Sequence, residues 1–243
     1  MADFPKIDYQ YWFNNYSWEG FSSMKGMIST MINKAYIDLD ITELNITDKI
    51  SQKIIEYSSK PNDDLLFEIF KLIQTWGGKS AGRHTLNIVQ NWNVSNILKY
   101  KTFVDTIKND RVVDSFNYLI KIEKIKGLSY SFVPKHICFW SGKGDRTNGY
   151  PILDDVIAIL VYNTKPAKNV SYEVFINDIS NFAKKINKDL SEDKQLTMAQ
   201  IEMALFAFSG YYWKTRKTGT NEFKINELQN HKDLEEAIRI SKR

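Results

Sequence analysis

Two side chains able to do covalent and acid–base chemistry flank the most distinctive stretch of the chain. Lys135 lies in Phe132-Val-Pro-Lys135-His-Ile-Cys-Phe139-Trp140, and Asp154 lies in Pro151-Ile-Leu-Asp154-Asp155-Val156. A neutral lysine amine is a nucleophile, and an ionised carboxylate can activate one or stabilise positive charge beside it. Each residue also has an ordinary use: Asp154 after an apolar triplet is a good helix N-cap, and Lys135 alone is a first-turn surface lysine. Their joint order sets them apart, with a glycine, a lysine, an apolar helix and then an aspartate.

The elements that must position them are helices. Tyr118-Leu-Ile-Lys-Ile-Glu-Lys-Ile-Lys-Gly127 reads as the end of an amphipathic helix stopped by a glycine able to take positive φ, with a second apolar helix beginning within a few residues. That is a helix-hairpin-helix. Free backbone amides at the start of the second helix, together with Lys126, Gly127 and the hydroxyls of Ser129 and Ser131, predict a site for a DNA phosphate. Leu66, Phe70, Ile73 and Trp76 form an apolar stripe between a candidate N-cap at Asn62 and the stop signal Gly77-Gly78. Val112, Phe116, Leu119 and Ile120 form a second, and Phe175, Ile179, Phe182 and Ile186 a third with Ser171 as its cap. Thr197-Met-Ala-Gln200 is a capping box leading into Ile201, Leu205 and Phe208. Val156 to Tyr162 is rich in β-branched residues, but its place after Asp154-Asp155 makes it a helix.

The run Ile-Lys-Gly127-Leu-Ser129 into Phe132-Val-Pro-Lys135-His-Ile-Cys-Phe139, followed by Pro151-Ile-Leu-Asp154, resembles the helix-hairpin-helix DNA glycosylases, most closely their 8-oxoguanine branch. The resemblance implies that Lys135 forms a Schiff base with the deoxyribose and that Asp154 activates it and stabilises charge on the sugar. In the better-known members the lysine sits about four residues after the hairpin glycine, where this chain has Ser131; Lys135 is one turn further along the same face, shifted by about 5 Å. Such a lysine attacks only when neutral, which asks for desolvation or a neighbouring charge, and a flipped base asks for an aromatic pocket. Phe132, Phe139 and Trp140 are the candidate pocket rings, in a chain carrying 14 Phe, 13 Tyr and 6 Trp.

Composition excludes several other chemistries. Cys138 is the only cysteine, so neither an internal disulfide nor a cysteine-based zinc or iron–sulfur site can form within the chain. His84, His136 and His231 are far apart and no HExxH spacing occurs, which speaks against a metal hydrolase. The segment from Trp76 to Gly82 lacks the order of a P-loop and reads as a helix stop, with Lys79 or Arg83 available to DNA. Gly142-Lys143-Gly144-Asp145-Arg146 reads as a surface loop in which Lys143 or Arg146 meets a phosphate, and Glu202 as a solvated surface acid. Net charge is +4, with basic clusters at Lys121, Lys124, Lys126 and Lys135 and at Lys214, Arg216, Lys217 and Lys224; this suits a phosphate-bearing partner without requiring one. The first eleven residues carry no secretory pattern and no apolar run is long enough to span a bilayer, so a cytoplasmic protein is expected.

The expectation is therefore an all-α, single glycosylase-like domain over residues 1–243, two helical lobes around a cleft, with the hairpin and catalytic segment at 111–165. It is expected to act as a monomer on double-stranded DNA carrying a damaged or modified purine, 8-oxoguanine by resemblance, as a glycosylase and AP lyase. No metal or organic cofactor is implied. Two alternatives are a catalytically silent hairpin module that only holds DNA, and a defence protein acting on a differently modified base.

Overall fold

The computed structural model describes residues 1–14, 46–77, 88–218 and 233–241. Among them the chain is all-helical, with no strand. In chain order the α-helices are α1 (Tyr9–Asn14), α2 (Ile46–Ser59), α3 (Asp63–Trp76), α4 (Val94–Lys108), α5 (Val112–Asn117), α6 (Val133–Ser141), α7 (Asp155–Tyr162), α8 (Tyr172–Asn187), α9 (Met198–Thr218) and α10 (Leu234–Ser241). No helix among the described residues is long and apolar enough to cross a membrane. Lys79, Arg83 and Lys224 lie outside the described residues, as do the side chains of Lys214, Arg216 and Lys217.

The chain divides into two compact units. One, discontinuous in sequence, comprises Met1–Ser17 and Pro151–Arg243; the other is the intervening Trp18–Tyr150.

In the intervening unit α6 is the centre, packed against α2, α3, α4 and α5. Every side chain from Val133 to Trp140 is buried, as expected for a helix enclosed by its neighbours. The Leu66, Phe70, Ile73 and Trp76 stripe of α3 is buried, and Asn62 caps α3 by accepting the Leu65 amide at 2.8 Å. The second stripe is a helix only to Asn117. A π turn follows over Tyr118–Ile122, in which the Tyr118 carbonyl accepts the Glu123 amide at 2.8 Å. Gly127 therefore sits inside the connecting turn, at φ 96°, rather than at the helix end. At the far end of α6 the chain folds back on the helix, and a Cβ at Gly149 would stand 2.0 Å from the Cys138 carbonyl oxygen.

In the discontinuous unit α9 is the centre and packs against α1, α7 and α8. Val156–Tyr162 is helical, as its position after Asp154-Asp155 required. The capping box forms in both directions: Thr197 N–H donates to Gln200 Oε1 at 2.8 Å, and Gln200 N–H to Thr197 Oγ1 at 3.1 Å. Ser171 precedes α8 in extended conformation without a capping hydrogen bond from its side chain, so only the position of that cap was read correctly. Glu202 faces the core and is fully buried, because the apolar residues of α9 wrap most of its circumference; the expectation of a surface acid was wrong. Asp233 anchors the N-terminal segment, accepting from Trp12 Nε1 at 2.6 Å and from the Asp8 amide at 2.9 Å.

Replacing Gly149 with Ala drives a methyl group into the backbone of α6. Loss of stability on the order of 3 kcal/mol is expected, seen as a lower urea midpoint for the intervening unit; an unchanged midpoint refutes this account of the packing.

Candidate functional site

Lys135 stands in the first turn of α6, yet it is buried, 9% exposed. Its Nζ donates to the Gly77 carbonyl at 3.1 Å and lies 4.7 Å from the centre of the Phe132 ring. Gly77 closes α3, and its carbonyl belongs to the negative end of that helix. These are contacts that an ammonium makes. The reading of Lys135 as an ordinary surface lysine fails, since a solvated side chain does not need them.

The residue that follows was missed in the sequence. His136 has no exposed surface; its Nε2 is 2.8 Å from Gln74 Nε2, and its Nδ1 is 2.7 Å from the Tyr100 hydroxyl. Trp140 Nε1 donates to the same hydroxyl at 2.9 Å, and the Phe70 ring stacks on the imidazole with centroids 5.0 Å apart. Burial, reinforced by the charge of Lys135, lowers the His136 pKa to about 3, so the ring is neutral with one nitrogen donating and the other accepting. Burial also pushes the Tyr100 phenol well up. Helical spacing places Tyr100 on the buried face with Phe103, Val104 and Ile107, but pairing across three helices leaves no local sequence signal.

The candidate pocket rings are all in the core. Phe132 packs against Gly77, Phe139 meets Trp76 edge-on at 5.1 Å, and Trp140 meets Tyr57 at 5.4 Å. Arg146 is also buried rather than in a surface loop, its guanidinium 4.8 Å above the Trp76 ring; a flat cation on an aromatic face loses less by leaving water than an ammonium does. Lys143 is exposed, at φ 53°.

On the hairpin, Lys126 and Gly127 are exposed, and Ser129 and Ser131 half-buried. The second helix does not start with free amides. The Val133 amide donates to Ser129 O at 3.3 Å and the Lys135 amide to Phe132 O at 3.0 Å, and Pro134 between them has no N–H. A phosphate at this hairpin would be held by lysine side chains and the turn, not by the helix terminus. Lys121 and Lys124 are exposed beside Lys126, while Lys99 pairs with Glu123 at 3.0 Å.

Asp154 belongs to the other unit. Its Oδ1 accepts from Val156 and Ile157 amides at 3.0 and 3.1 Å, a complete N-cap for α7, and Asp155 accepts the Ala167 amide at 2.8 Å. Lys135 and Asp154 thus lie on opposite sides of the boundary at which the chain passes from one unit to the next, between Tyr150 and Pro151.

Among the described residues no group of His, Cys, Asp and Glu is arranged to hold a metal ion. The chain matches no protein-family profile, no curated protein and no solved structure.

His136 gives the site a pH signature. It is neutral in the folded protein down to about pH 3 but takes up a proton near 6.5 once unfolded. The unfolded state therefore binds the extra proton, and stability falls as pH drops from 6.5 towards 3. Between neutral pH and about pH 5 the loss is about 2 kcal/mol, measured by urea unfolding. A His136→Gln protein should lack this part of the pH dependence; equal slopes for the two proteins contradict a neutral buried ring.

Proposed function

We propose that the protein is a DNA glycosylase with AP lyase activity, in which Lys135 attacks the deoxyribose of a damaged or modified purine nucleotide and Asp154 assists. The observation that carries the reading is the combination on α6: a lysine withdrawn from water in the first turn of a helix that follows a hairpin with a positive-φ glycine. Burying an ammonium is costly, and here a neutral carbonyl and a ring face help to offset the cost. In this reading Lys126, Lys121 and Lys124 meet the backbone of double-stranded DNA, with Gly127, Ser129 and Ser131 in the turn between the helices. Phe132 lines the apolar wall at the nucleophile, whereas Phe139 and Trp140 act one layer deeper, as support. The amine attacks the anomeric carbon, the base leaves, and β-elimination at the resulting Schiff base cuts the strand; 8-oxoguanine is the substrate that the resemblance in sequence favours.

A second reading has its own support. Nζ of Lys135 is already engaged by Gly77, and the Asp154 carboxylate is engaged by two amides, which suits a silent module that uses the hairpin only to hold DNA.

Borohydride trapping on duplexes carrying 8-oxoguanine or an abasic site separates the two. A covalent adduct that disappears in Lys135→Gln is expected. Binding without any adduct, weakening with salt and indifferent to Lys135, establishes the silent module.

Asp154 is tested independently through its two possible contributions. Asparagine caps a helix about as well as aspartate, and alanine does not. Asp154→Asn should keep the thermal stability and slow base excision at least tenfold, while Asp154→Ala should also lose about 1 kcal/mol. Full excision by the Asn variant leaves only the cap.

A further inference from the structure

We propose that Gly77 is a positioning residue for Lys135, forming with Phe132 a clasp that keeps the ammonium parked until substrate draws it out; this rests on the reading of Lys135 as the nucleophile. The clasp has two jaws. One is the Gly77 carbonyl, 3.1 Å from Nζ, and the other is the face of the Phe132 ring, 4.7 Å from it. The jaws depend on each other. A Cβ at residue 77 would stand 2.2 Å from Cε1 and 2.9 Å from Cζ of Phe132, so the ring can face the ammonium only because residue 77 has no side chain.

Gly77 has φ −62°, a value any residue adopts. What it supplies is space, not backbone freedom. The neutral His136 next along the helix spares the ammonium a second charge. Both jaws favour the protonated amine, and a protonated amine has no lone pair with which to attack. Leaving the clasp and giving one proton to water must therefore precede any bond to carbon. Gly77 acts through Lys135 and does not itself touch the substrate.

The test reads the pH dependence of Lys135 itself, without DNA. The full chain is treated with trinitrobenzenesulfonate across a pH series, and modification of the peptide holding Lys135 is followed by mass spectrometry in wild type, Phe132→Tyr, Phe132→Leu and Gly77→Ala. Tyrosine keeps the ring face, so wild type and Phe132→Tyr should share one midpoint. Phe132→Leu and Gly77→Ala should titrate about one pH unit lower, making Lys135 roughly tenfold more reactive at neutral pH. General loosening of the fold speeds modification of the half-buried lysines as well, whereas loss of the clasp alters Lys135 alone. A midpoint in Phe132→Leu equal to that of wild type overturns the clasp, and this comparison decides the matter if Gly77→Ala does not fold. Borohydride trapping by the wild-type protein judges the nucleophile separately: a shifted midpoint with no trapped adduct keeps the clasp and discards the glycosylase reading.

Discussion

A helix enclosed on every side has no solvent to satisfy its polar groups, and α6 lives under that constraint. Two of its polar side chains, Lys135 and His136, meet it in different ways. Lys135 reaches a carbonyl and a ring face, while His136 gives up its charge and joins Gln74 and Tyr100. These contacts reach α3 through Gly77 and Gln74 and α4 through Tyr100, so orientation of those two helices around α6 is set by hydrogen-bond geometry as well as by packing. Apolar contacts alone tolerate sliding; a chain of bonds at 2.7 to 2.9 Å does not.

The other unit meets the same problem with carboxylates. Asp233 collects the indole of Trp12 and an amide of the N-terminal segment. Glu236 accepts the Lys6 amide at 2.9 Å and both arms of Arg239. Phe4 stacks on Phe182 with centroids 4.3 Å apart, and Tyr172 donates to the Pro151 carbonyl at 3.0 Å. Asp233 and Glu236 are themselves buried, so the cost of taking these carboxylates out of water is offset by the hydrogen bonds they accept.

Much of the secondary structure was legible in the sequence, because helical periodicity and caps are local. The α3 stripe, the Asn62 cap and the Thr197–Gln200 box could be read directly, and so could the helicity of Val156–Tyr162. What escaped is non-local. A π turn shares the apolar pattern of an α-helix, so Tyr118–Ile122 looked like more of the same. Glu202 and Arg146 are charged residues whose burial is decided by partners distant in sequence. Lys135 and Asp154 could be picked out by type and order, but the burial of the one and the complete cap made by the other emerge only in three dimensions, as does the use of Gly77.

The discontinuous unit also orders events during synthesis. The hydrogen bond between Trp12 and Asp233 spans 221 positions, so the N-terminal segment has to wait on the ribosome until its anchor has been made. Residues 18–150 emerge well before that and can close around α6 first. The nascent chain thus carries an apolar N-terminal segment, including Phe4, Tyr9 and Trp12, through most of translation. The apolar side chains of that segment are covered only as α8, α9 and Asp233 are made.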